Sequence, residues 1–253
     1  MKKRTVINEI EGINTKYLKT IKNVTVDLKQ AFKAEITNYV ENNLLQKTLK
    51  IRLQFLLALV YNIRYIKKGK KVDRYFHSIS NLSKISRKFL TINNMKFHEL
   101  DVSNCQPLLL VYYLKVNCHS FDEAYIQDCE NATFYSKFFT KKPTAKDLKQ
   151  LKKGILSCVY FGFEENNKIN KKFKVLYPLT HLALKYIHEN KIELAVELQN
   201  LEAEVFNNLI PKESNHFFTI FDSINFDNIA DKEDLTSQIE QKFKSLGLSV
   251  KVK

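Results

Sequence analysis

Tryptophan does not occur in this 253-residue chain, and glycine (5) and proline (4) are scarce. So little backbone punctuation excludes a collagenous, loop-rich or low-complexity class and leaves long stretches free to form regular structure. Cysteine is sparse as well: Cys105, Cys118, Cys129 and Cys158 form no C-x-x-C pair and have no histidine at metal-ligand spacing. Zinc signatures are thereby excluded, and free thiols in a reducing compartment are expected. Long hydrophobic runs are missing too. The most apolar window, residues 55–61, is bracketed by Arg52 and Arg64, far short of the roughly 20 residues that cross a bilayer as a helix. The basic start of the chain is not followed by the apolar stretch of a signal peptide, so the expected location is cytoplasmic, with no membrane partner. Acidic residues are the minority charge. Lys and Arg number 41 against 27 Asp and Glu, a net charge of +14. That surplus points to a polyanionic partner, nucleic acid first and an anionic membrane surface second, with a solvated lysine-rich face as the plain alternative.

Apolar residues make up 44% of the chain, enough for a packed core. Residues 1–22 are lysine-rich and read as an arm or a short strand and turn. Residues 27–66 contain neither Gly nor Pro, and Phe32, Ile36, Val40 and Leu44, then Ile51, Phe55, Leu59 and Ile63, recur at helical spacing. Two helices are expected there, followed by a basic turn over 67–71. A basic helix start covers 84–89, and Asn93-Asn94 turns the chain into a strand ending at Asp101. Asn104 is expected to cap a helix through Val116, with Pro107 in its first turn. Thr144 is expected to cap a helix over 145–160 that stops at Gly162. Pro178 opens further helices over 180–187 and 192–209, broken near Asn190. Residues 216–226 read as a buried hairpin with an acidic tip, 232–246 as a last helix ending at Gly247, and 248–252 as a half-buried strand. The fold class expected is α+β, in one compact unit.

Two acids stand out. Asp101 and Asp222 each end an apolar strand, where an ionised carboxylate is costly unless a cation or a set of donors meets it. A capping aspartate at 101 and an ordinary turn acid at 222 are the structural readings. Two metal-binding carboxylates, holding cations about 3.5–4 Å apart for phosphoryl transfer, are the functional one. Lys149 and Lys153 stand one turn apart on the 145–160 helix, in position to grip a triphosphate or simply to be solvated. Ser157, Tyr160, Phe161 and Gly162 lie further along, an aromatic and glycine pair suited to a base or ribose close to the backbone.

The order of these motifs resembles that of family A DNA polymerases, the palm–fingers–thumb enzymes of the bacterial DNA polymerase I type. Arg74, Asn81-Leu82, Arg87-x-Phe89 and Leu100-Asp101-x-Ser103 with Gln106 resemble the run into their motif A. Lys149-x3-Lys153-x7-Phe161-Gly162 is similar to motif B, where the family has Arg at the Lys149 position. Thr219-Ile220-Phe221-Asp222-Ser223 resembles motif C, His-Asp-Glu in those enzymes and His-Asp-Ser in the related single-subunit phage RNA polymerases. Lys191 and Gln199 match basic and Gln positions on the helix before motif C, and 246–252 resembles the last palm strand. The likeness covers about residues 70–252.

The resemblance implies a right-hand architecture with an antiparallel palm sheet. It also implies a helical, thumb-like N-terminal region over 1–70, palm over 71–116, fingers over 117–175 and palm over 176–253. It implies nucleotidyl transfer on a DNA template and primer with nucleoside triphosphates and two Mg²⁺ ions. Asp101, the Val102 carbonyl and Asp222 would hold the metals. Lys149, Lys153, Phe161, Gly162 and Gln106 would contact the nucleotide, and Arg74, His77, Asn81, Arg87, Lys191 and Gln199 the nucleic acid. Phe221 stands in place of the motif C His, Ser223 in place of Glu, and Gln106 in place of the ribose-excluding Glu of the DNA enzymes. An RNA polymerase or primase is the alternative within the same chemistry. A nucleic-acid-binding scaffold without catalysis is the alternative outside it.

Overall fold

The computed structural model describes residues 13–253. It is a mixed α+β structure with small antiparallel sheets. Where the sequence points to one compact unit, there are two: Met1–Leu100 with Phe206–Leu235, and Asp101–Val205 with Thr236–Lys253.

In the first unit, residues 13–22 correct the expectation of an arm or strand. Helix α1 (Thr15–Asn23) starts at Asn14, whose side chain accepts a hydrogen bond from the Lys16 N–H at 2.8 Å. Tyr17, Thr20 and Ile21 are buried at i, i+3 and i+4, a stripe that the intervening lysines disguise. The part of that expectation on residues 1–12 lies outside the described residues. Helices α2 (Leu28–Glu41) and α3 (Gln46–Val60) form where two helices are expected, separated from α1 by β1 (Thr25–Val26). The inward face of α2 is not the expected one, while in α3 Leu59 of the expected stripe is buried, with Leu56 beside it. Phe32, Ile36 and Val40 are exposed, while Ala31 and Glu35 are fully buried. Glu35 decides the rotation: its carboxylate meets Arg52 at 3.0 Å and accepts from the hydroxyls of Ser83 and Ser86. Burial alone would raise its pKa, but these donors outweigh that and hold it below the ordinary range.

Strands β2 (Ile66–Lys68) and β3 (Tyr75–His77) form a two-stranded ribbon, with Ile66 opposite His77. Helix α4 (Lys84–Arg87) is capped by Ser83, which accepts from the Ser86 N–H at 3.1 Å. Strands β4 (Leu90–Ile92) and β5 (Met95–Lys96) turn at Asn93 and Asn94, both left-handed at φ 49 and 64, the turn that matches strand twist. β1 pairs on the other side of β4. The third sheet has the order β6-β8-β7, from β6 (His98–Asp101), β7 (Phe217–Ile220) and β8 (Ser223–Phe226). Phe217, Phe218 and Phe226 are buried on it, with Tyr17 edge-on to Phe217 at 5.6 Å and Phe97 edge-on to Phe218 at 4.9 Å. Such aromatic contacts add to simple area burial.

The second unit is built on α5 (Cys105–Val116), where Leu108, Leu109, Leu110, Val111 and Leu114 have no exposed surface. Asn104 occupies its N-cap position, as expected, and its carbonyl accepts from the Leu108 N–H at 2.9 Å. It sits at φ 57, its side chain makes no capping bond, and its amide donates to the Cys129 carbonyl at 3.3 Å. Helices α6 (Glu123–Glu130) and α8 (Lys168–Leu176) bring Tyr125 and Phe173 into a buried aromatic cluster with Phe134 and Tyr177. The Tyr125 and Tyr160 hydroxyls bond at 2.7 Å inside it.

Helix α7 (Ala145–Gly154) has the expected Thr144 cap, as a reciprocal box with Asp147. Its continuation is a π-helical turn, Ile155–Phe161, and not the regular helix expected to residue 160. Helix α9 (Pro178–Glu189) opens on Pro178, as expected. Helices α10 (Leu194–Phe206) and α11 (Lys232–Ser245) complete the set. Gly247, at φ 68, ends the α11 region. The expected final strand is reduced to a Val102–Val252 bridge, flanked by Asp101 and Lys253 exchanging backbone hydrogen bonds at 3.0 and 3.1 Å.

Candidate functional site

In the first unit the hairpin β7–β8 pairs Thr219 with Ile224 and Ile220 with Ser223, leaving Phe221 and Asp222 as its two-residue tip. The strands are apolar and buried, so the tip is where a polar side chain can reach solvent. Phe221 takes φ 52, an uncommon conformation for a residue with a side chain, and is 45% exposed. The Arg74 guanidinium lies over its ring, 5.2 Å from the centroid. Arg87, the last residue of α4, is half-buried. Burial lowers its pKa, while the nearby charges of Glu99 and Asp222 act to raise it. Arg74, Arg87 and Asp222 are thus gathered near one hairpin. Asn81 is exposed, and its amide donates to the Tyr65 hydroxyl.

His77 corrects an expectation. It is fully buried, and its Nε2 lies 3.0 Å from the Thr219 carbonyl, which requires the proton on Nε2. Burial pushes its pKa down to about 4, so the ring is neutral at pH 7. It offers no surface to a nucleic acid and supports β7 instead.

In the second unit Asp101 is the first residue, half-buried, with a carboxylate oxygen 3.4 Å from Nζ of Lys253. Val102 beside it is 2% exposed. The Gln106 amide donates to the carboxylate of Glu202 on α10, itself 2% exposed, and Gln106 Oε1 is buried without a partner. Lys149 and Lys153 are both exposed on α7, one turn apart. Phe161 is 36% exposed at the end of the π-helical turn. Tyr160, on the face read as running on from the lysines, is buried in the aromatic cluster. Gly162 has a local reason to be glycine: a Cβ there would lie 2.3 Å from the Ser157 carbonyl oxygen. Lys191, at φ 54, is exposed between α9 and α10, and Gln199 is half-buried on α10.

Glu202 and Lys253 are the site neighbours that sequence reasoning missed. Glu202 carries a usable signal, since it falls four residues after Leu198 in the buried stripe of Leu194, Leu198 and Val205. Lys253 carries none. Among the described residues no group of three or more His, Cys, Asp or Glu side chains is gathered as a metal site. A set of two aspartates and a carbonyl falls below that count. No helix among the described residues is long and apolar enough to cross a membrane. Compared with protein-family models and with curated proteins, the chain matches none.

Proposed function

We propose that this chain carries out template-directed nucleotidyl transfer, as a minimal DNA-directed DNA polymerase of right-hand architecture. One observation carries the reading most: Asp222 stands at the tip of a buried apolar hairpin, in the field of the Arg87 guanidinium, with Arg74 on its neighbour Phe221. A carboxylate set on so apolar a mount is costly unless a cation is its partner. Asp101, at the end of β6, is the second acid, and it already attracts the Lys253 ammonium. The donors on offer are carboxylate and carbonyl oxygens, which suit Mg²⁺. Two bound Mg²⁺ ions would supply the positive charge that stabilises the attacking and leaving oxygens of a phosphoryl transfer. Lys149 and Lys153 are exposed point charges for a triphosphate, and Phe161 offers a ring face to a sugar or base. Arg74, Asn81, Arg87, Lys191 and Gln199 serve the template and primer in this reading.

A second reading, RNA synthesis, is favoured by Gln106. Its amide is committed to Glu202, and it places no carboxylate of its own where the DNA enzymes exclude ribose. Primer extension on a DNA template with Mg²⁺ tests both readings. Asp101→Asn and Asp222→Asn are each expected to lower extension by roughly a thousandfold, about 4 kcal/mol of transition-state stabilisation. The ratio of dNTP to rNTP incorporation then decides between DNA and RNA synthesis. No extension by the folded wild type, together with salt-sensitive DNA binding, would leave a binding scaffold.

A further inference from the structure

The first unit contains a recess of about 210 Å³ whose polar lining is unbalanced. Lys84, Arg87 and Lys88 border it from α4 and the residue after it, Lys96 from β5, and Glu99 from β6. Four cations therefore face one carboxylate. Phe97 supplies an apolar wall, and Asn225 of β8 reaches the recess from the sheet.

One of these groups lacks the partner that an enclosed donor ordinarily has, and a second is a half-buried cation. The Asn225 Nδ2 is buried and makes no hydrogen bond. The Arg87 guanidinium is half-buried, and among the described residues it makes neither a side-chain hydrogen bond nor an ion pair within 4 Å. A desolvated guanidinium and a buried amide beside the same recess call for a ligand rich in acceptors and negative charge. Phosphate has that chemistry: it accepts several hydrogen bonds at once, and charge-assisted bonds to Arg and Lys are the strong ones. A recess of about 210 Å³ has room for a phosphate group and little more, which suits the end of a molecule.

We propose that this recess binds a terminal phosphate, carried by a free nucleotide or by the end of a nucleic-acid strand. Arg87 and the Asn225 amide contact the phosphate oxygens, and Lys84, Lys88 and Lys96 supply the surrounding charge. Glu99 opposes binding while helping to keep Arg87 charged and in place. The site shares Arg87 with the nucleic-acid contacts proposed above but requires no transfer reaction.

The test is equilibrium binding of the full chain without Mg²⁺ or nucleoside triphosphates, so that an inactive polymerase leaves it readable. An oligonucleotide with a 5′-phosphate is compared with the same strand bearing a 5′-hydroxyl, with inorganic phosphate and a nucleoside monophosphate as competitors. The phosphorylated strand is expected to bind roughly tenfold tighter. Lys88→Ala with Lys96→Ala should erase that preference, both residues being exposed. Glu99→Gln should strengthen it, which a merely structural cluster would not do. Competition by the nucleoside monophosphate that is weakened in the double lysine variant, without a strand preference, assigns the recess to free nucleotides. Equal affinity for both strands with no competition by either phosphate would overturn the proposal. So would a preference that survives the double substitution.

Discussion

His77 shows what the surroundings of one side chain can reverse. In the sequence it is one of six histidines beside a basic run, and in the structure it is sealed under Thr219 with a pKa near 4. The folded value lies below that of an exposed histidine, so the unfolded chain takes up the proton first. The contribution of neutral His77 to stability is fully present above about pH 6.5 and is lost as pH falls towards 4, by up to about 3 kcal/mol. His77→Gln keeps a donor for the Thr219 carbonyl, and denaturant unfolding from pH 4 to 7 is expected to show a flatter profile for it than for the wild type. Equal pH slopes for the two proteins would refute a buried neutral histidine. Asp222 was legible because it follows the apolar, buried strand β7, whereas β6, which Asp101 ends, is not the apolar strand expected: its His98 and Glu99 are exposed and only Leu100 is buried. Glu35 was not legible, because its partners Arg52, Ser83 and Ser86 lie 17, 48 and 51 residues away.

Elements were legible where a local rule acts alone. The Thr144 and Asp147 box, the Asn93-Asn94 turn, Pro178 at the start of α9 and Gly247 after α11 are all short-range devices. Rotation about a helix axis is another matter. Phe32 and Ile36 outrank Ala31 and Glu35 in hydrophobicity, yet the second pair faces inward, since only that rotation gives Glu35 its donors. The π-helical turn at Ile155–Phe161 is likewise invisible to a 3.6-residue period. It closes on Gly162, and Gly162→Ala is expected to cost about 1–3 kcal/mol through the clash with the Ser157 carbonyl. Thermal unfolding measures the loss. An unchanged midpoint would mean that the turn is free to relax, and the exposed ring of Phe161 with it.

For the whole molecule, the +14 net charge is the one property that composition states without the fold. If it serves nucleic-acid binding, affinity for duplex DNA is expected to fall by at least about a hundredfold between roughly 50 and 200 mM salt, through counterion release. Titrations at a series of salt concentrations give the slope. A flat response would remove nucleic acid as the partner of the basic surface. Charge by itself has no address. The fold sets Arg87 half-buried in the field of Glu99 and Asp222, Arg74 over Phe221, and four cations around one recess.

The sequence alone determined where the longer helices and several turns fall, that Asp101 ends a strand and Asp222 sits in a hairpin turn, and the sign of the chain's net charge. Each of these follows from interactions within about four residues or from simple counting. Tertiary structure alone decided which helix face is buried, that His77 is neutral and enclosed, that Gln106 answers to Glu202, and that the Asn225 amide is left unpaired beside the recess. The physical reason is desolvation. Burial sets the cost of every unpaired charge and donor, and it depends on neighbours that the chain supplies from far along its length.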